Sequence, residues 1–124
     1  IYGGTTLTEI ENMVKKYVKD NSFAFDLDFF QSNSEGEIVE SLQDAGKNYN
    51  GVIINAGGLT HTSVIILDCL LAINIPKIEV HISNPFTREE FRHNSYISKG
   101  VNGLICGFGA DSYLLAIDAM HKIV

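Results

Sequence analysis

The sequence predicts a doubly wound α/β fold, a parallel β-sheet with helices packed on both faces. Three observations carry that prediction. Helix-period and strand-length apolar segments alternate along the whole chain. Two strand-length runs end in bursts of small and polar residues, Asn55-Ala56-Gly57-Gly58-Leu59-Thr60-His61-Thr62-Ser63 and Ser83-Asn84. No repeat, low-complexity run or linker divides the 124 residues, a length that suits one domain. Sites in such sheets form at the carboxyl ends of the strands. Asn55, His61, His81 and Ser83 are therefore expected together there.

Each element has its own signal. Thr8 with Glu11 reads as a capping box, and Leu7, Ile10, Val14, Tyr17 and Val18 share one helical face up to Asp20-Asn21. Phe23, Phe25, Leu27 and Phe29 alternate with Ala24, Asp26 and Asp28, the pattern of an edge strand with one wet face. Ser32-Asn33-Ser34 caps a second helix marked by Ile38, Val39, Leu42 and Ala45 and ending near Gly46. After the Asn50-Gly51 turn, residues 52–54 form a buried strand. Residues 63–73 are apolar almost all round, so that helix is expected to be buried on more than one side. Residues 77–82 are the next strand, and a loop from Asn84 carries a helical turn at 88–92. A last strand at 101–106 leads through Gly107-Phe108-Gly109 into a helix at 112–124.

This order fits a flavodoxin-like sheet, strand order 2-1-3-4-5, in which the first strand is central. The chain opens on a helix with no strand before it. The expectation is one domain over residues 1–124, N-terminally incomplete and lacking that first strand.

Composition excludes some functions. A net charge of −6 and a pI near 5.0 leave no basic face for nucleic acid. No apolar stretch is long enough to span a bilayer. Cys69 and Cys106 lie in apolar surroundings without metal-type spacing, and read as buried free thiols in a reducing cytoplasm. No Walker-type phosphate loop or dinucleotide fingerprint occurs.

The candidate chemistry lies in a few residues. Glu79 and His81 stand two apart on a strand and share a face. A carboxylate beside an imidazole fixes its tautomer and raises its pKa, which makes a general acid. His61 follows a Gly-Gly turn where a ligand can approach the backbone. Arg88 and Arg92, one helical turn apart, suit a carboxylate or polyol. His61, Glu79 and His81 also match a two-histidine, one-carboxylate metal site.

The blocks Tyr2-Gly3, Ser32-Asn33-Ser34-Glu35-Gly36, 55–63, 78–84 and Arg88-Glu89-Glu90-Phe91-Arg92 resemble those of type II 3-dehydroquinase, in the family's order and over nearly the whole chain. That family dehydrates 3-dehydroquinate to 3-dehydroshikimate in the shikimate pathway, which serves aromatic amino-acid biosynthesis. The resemblance implies an anti elimination of water through an enolate, without cofactor or metal. It makes Tyr2 the general base and His81, oriented by Glu79, the acid that protonates the leaving hydroxyl. It assigns the substrate carboxylate to the Ile82 and Ser83 backbone N–H groups and the Ser83 hydroxyl, and the ring hydroxyls to Asn55, His61 and Arg92. Asp68 matches a residue reaching into a neighbouring subunit's site, in a cytoplasmic dodecamer built from trimers. The family's opening strand, the loop after it and an arginine shortly before the tyrosine have no counterpart in these residues. The alternatives are a metal-dependent hydrolase using His61, Glu79 and His81, and a non-catalytic flavodoxin-like binding module.

Overall fold

A computed structural model describes residues 4–124; Tyr2 falls outside them. Helix α1 is Leu7–Asp20, α2 Glu35–Asn48, α3 Val64–Ala72 and α4 Asp111–Ile123. Strands β1 (Val52–Ile54), β2 (Lys77–His81) and β3 (Gly103–Cys106) form a parallel sheet in the order β1-β2-β3. Ile54 pairs with Glu79, and His81 with Cys106.

The alternation of side chains along each strand divides the core in two. On one face, Ile78 and Val80 pack with Ala116 and Met120 of α4, beside the α1 stripe of Ile10, Val14 and Val18. On the other, Ile54 packs with Leu42 of α2 and with Ile66 and Leu70 of α3. The sheet is thus covered on both faces, as the sequence predicts. Lys77 secures the end of α3, its Nζ donating to the Leu70 and Ile73 carbonyls at 2.8 and 2.6 Å. Among the described residues no helix is long and apolar enough to cross a membrane.

Several expectations need correction. The first helix is capped by Thr6, whose hydroxyl accepts the Glu9 N–H at 3.1 Å and donates to the Glu9 carboxylate. Thr8 lies inside the first turn, where its hydroxyl cannot cap. Residues 23–30 form no strand, although Phe23, Phe25 and Leu27 are half-buried and Ala24, Asp26 and Asp28 exposed. Packing against α1 and α4 sets that alternation. A strand also needs a hydrogen-bonded neighbour, and no described residue supplies one. The α3 helix buries one side only: Ile66, Cys69 and Leu70 are inside, while Val64, Ile65 and Leu71 are 48%, 60% and 59% exposed. The described residues leave its outer face largely open. The 88–92 turn is replaced by short 3₁₀ turns at Pro85–Thr87 and Glu90–His93, with another at Ile97–Gly100. Cys69 is buried but Cys106 only half-buried; both are free thiols, and burial pushes both pKa values up.

Candidate active site

The centre of the site is on β2. Ile78 and Val80 turn toward α4, so Glu79 and His81 turn to the opposite face. Glu79 is completely buried and His81 nearly so. Glu79 Oε2 lies 2.5 Å from His81 Nε2. The Ser95 hydroxyl donates to the same oxygen at 3.0 Å, and the Ser98 hydroxyl donates to Oε1. Burial pushes the Glu79 carboxyl up. The hydrogen bonds from His81 and Ser98, the imidazolium charge and the Ser95 bond outweigh it, holding the group below the usual carboxylate range. A carboxylate can only accept, so Nε2 carries the proton and Nδ1 is left for chemistry.

The other groups come from turns around this pair. His61 ends a 3₁₀ turn, Gly57–His61, and its Nδ1 donates to the Asn94 carbonyl at 2.8 Å, leaving Nε2 as its second pole. The Tyr96 N–H donates to the Thr60 carbonyl at 2.9 Å and pins the same turn. Asn55 follows β1. Its Oδ1 accepts the Gly57 N–H at 3.1 Å, and its Nδ2 donates to the Tyr113 hydroxyl at 3.0 Å. Gly57 adopts φ +56°, a left-handed conformation that suits glycine.

Arg92 is held on two sides. Its Nε lies 2.5 Å from Glu89 Oε2, and its guanidinium sits 4.8 Å from the Phe91 ring centre. The hydrogen bond from Arg92 lowers the Glu89 carboxyl. His61 also meets the Phe91 ring, nearly perpendicular to it with centroids 6.0 Å apart. Arg88 does not pair with Arg92 on a helix face: its backbone is extended (φ −111°, ψ −164°) between two separate turns, so the one-turn spacing is lost. Beyond His81, Ile82 is half-buried and Ser83 exposed. The Gly107 and Gly109 N–H groups donate to the His81 and Ile82 carbonyls at 3.3 and 2.9 Å, tying the turn after β3 to the end of β2.

The structure joins Glu79 to His81 directly and links His61 to Arg92 through Phe91. Asp68 stands on the exposed face of α3, and among the described residues no hydrogen bond or ion pair connects it to the others. Sequence reasoning missed Ser95, Ser98, Glu89, Asn94 and Tyr113, the residues that hold the site in place. The Ser-x-x-Ser spacing of Ser95 and Ser98 was the available signal. Among the described residues no three His, Cys, Asp or Glu are grouped to hold a metal ion.

A buried carboxylate–imidazole pair at the carboxyl edge of a parallel sheet is the arrangement of an acid–base α/β enzyme. A family model described as dehydroquinase class II matches residues 1–121. The chain is 47% identical over 120 residues to the 3-dehydroquinate dehydratase of Prochlorococcus marinus, covering 97% of this chain and 81% of that protein. It is 48% identical over 123 residues to the 3-dehydroquinate dehydratase of Rhizobium meliloti, covering 99% and 82%. The type II dehydroquinase of Butyrivibrio crossotus superposes with a TM-score of 0.90 at 42% identity, over 97% of this chain and 83% of that one. The chain belongs to the class II dehydroquinase family.

Proposed function

We propose that this member of the family works as a type II 3-dehydroquinate dehydratase, a hydro-lyase of the shikimate pathway, with the buried Glu79–His81 pair supplying its acid. The observation that carries this reading is the Glu79 carboxylate, fully buried yet held ionised against His81 Nε2. 3-Dehydroquinate is a β-hydroxy ketone. Removing the proton from the carbon beside the ketone leaves an enolate. As its electrons return to form the carbon–carbon double bond, the C–O bond to the hydroxyl breaks and the leaving oxygen takes a proton. Imidazolium His81 gives that proton and is left neutral, with Glu79 holding the ring in place. The net loss is one water, with no change of oxidation state.

Tyr2 is the proposed base for the first step. A phenol has a pKa of about 10, so the site must stabilise its anion to work at neutral pH. His61, Asn55 and Arg92 take the ring hydroxyls, and the Ile82 and Ser83 backbone with the Ser83 hydroxyl takes the carboxylate. The exposed apolar face of α3 supports assembly through that helix, with Asp68 completing a neighbour's site in a dodecamer of trimers. Two free thiols support a cytoplasmic setting.

The test is turnover of 3-dehydroquinate by the purified protein, followed through the absorbance of the conjugated enone product. Activity should survive chelators and borohydride treatment in the presence of substrate. Loss of activity on chelation would overturn the metal-free route, and a lysine–substrate adduct after borohydride would overturn the enolate.

A further inference from the structure

We propose that Ser95 and Ser98 are positioning residues that clamp the Glu79 carboxylate from two sides and so fix the ring orientation of His81. The inference rests on the acid role of His81 given above, and extends it to two residues that act through Glu79. Ser95 stands just before the Ile97–Gly100 turn and Ser98 lies within it. Both hydroxyls face the same carboxylate. Ser98 donates to Oε1; Ser95 donates to Oε2 at 3.0 Å, the oxygen that also meets His81. The Ser95 oxygen in turn accepts the Ser98 N–H at 2.9 Å, which leaves its own proton for Glu79. Each serine is thus held by the other as well as by the carboxylate.

The turn itself is seated without slack. Ile97 is fully buried, and a Cβ added at Gly100 would come within 2.9 Å of Leu70 Cβ and 3.1 Å of Leu67 Cδ1. The clamp is therefore braced on α3 and cannot follow Glu79 if the carboxylate rotates. A buried carboxylate with one unpaired oxygen favours its protonated form, which would withdraw the anion that holds His81. His81 on β2 and Cys106 on β3 interact with Glu79 electrostatically. On α3, Asp68 is exposed and Cys69 donates to the Val39 carbonyl; Lys99 of the turn lies over the Tyr96 ring at the surface.

The test measures kcat, KM and the pH profile of kcat/KM for the parent chain, Ser98→Ala, Ser95→Ala and Ser98→Thr, with His81→Ala alongside. Removing one charge-assisted hydrogen bond should move the acid limb of the Ser98→Ala profile up by about one pH unit. At neutral pH kcat should fall by about tenfold or more with KM little changed, because orientation of the acid matters most in the transition state. Ser95→Ala should shift the limb in the same direction. Ser98→Thr retains the hydroxyl and should restore most of the parent profile. Nitrogen NMR of His81 should show Nε2 protonated in the parent and a mixture of tautomers in Ser98→Ala, a readout that a merely structural role would not move. Parental acid limbs and an unchanged His81 tautomer in both alanine variants would overturn the clamp while leaving the acid role intact. Full activity in His81→Ala would instead overturn the reading on which the clamp rests.

Discussion

Glu79 is the residue whose surroundings explain most about the site. Its two carboxylate oxygens accept from three side chains, His81, Ser95 and Ser98. Replacing the proposed acid should show directly in turnover: His81→Ala should lower kcat by about 10²–10⁴-fold with a much smaller change in KM. Arg92 is held by Glu89 and Phe91, and its proposed role is a ground-state contact with substrate. Arg92→Ala should therefore act chiefly on KM, and equal small losses in both variants would break the assignment of roles. Glu79 also links stability to pH. Its folded pKa lies below the unfolded value of about 4.3, so the stabilisation is complete above that pH and is lost as pH falls through the folded value. Urea midpoints of the parent and Glu79→Gln should differ most at neutral pH and converge in acid. A gap that stays constant between pH 7 and pH 3 would mean that the ionised carboxylate contributes nothing to folding.

At the scale of elements, the helices and the three strands were legible because period and caps agree locally with where the chain packs. The Ser34 and Ser63 caps accept the Glu37 and Ile66 N–H groups as their positions imply. Three features were not legible, each for a physical reason. The first cap is Thr6, because a capping pattern two residues out of phase looks the same in sequence. The 23–30 segment has the alternation of a strand but no described neighbour to pair with. The loop from 84 to 100 is built from 3₁₀ turns, whose short repeats leave no periodic signature, and it contributes Ser95 and Ser98 to the site. In the site, the Glu79–His81 pair was legible from a two-residue spacing within one strand. Its supports were not, since they depend on which turn folds over that face. The seating of the last turn gives a stability test. Gly100→Ala forces a methyl against Leu70 and Leu67, and overpacking of this kind costs about 1–3 kcal/mol. A shift of the urea midpoint should report it; an unchanged midpoint would show that the turn floats on α3.

For the molecule as a whole, the decisive surface is the outer face of α3. Val64, Ile65 and Leu71 expose apolar side chains around Asp68, on a helix whose other side is core. A contiguous apolar face of this kind marks an interaction site more often than bare surface. If α3 is the contact between subunits, a charge at its centre should separate them, since a carboxylate buried unpaired in an interface is costly to desolvate. Ile65→Asp should accordingly reduce the solution mass, read by light scattering, toward the 13.7 kDa of one chain. The consequence for catalysis follows from Asp68, which among the described residues makes no hydrogen bond or ion pair with a site residue. Separated subunits should lose activity along with mass, whereas Asp68→Asn should lose activity while keeping the assembly. The two variants thus part the role of the interface from the role of the side chain. An Ile65→Asp subunit that is single in solution yet turns over at the parental rate would remove Asp68 from the site and confine catalysis to one chain.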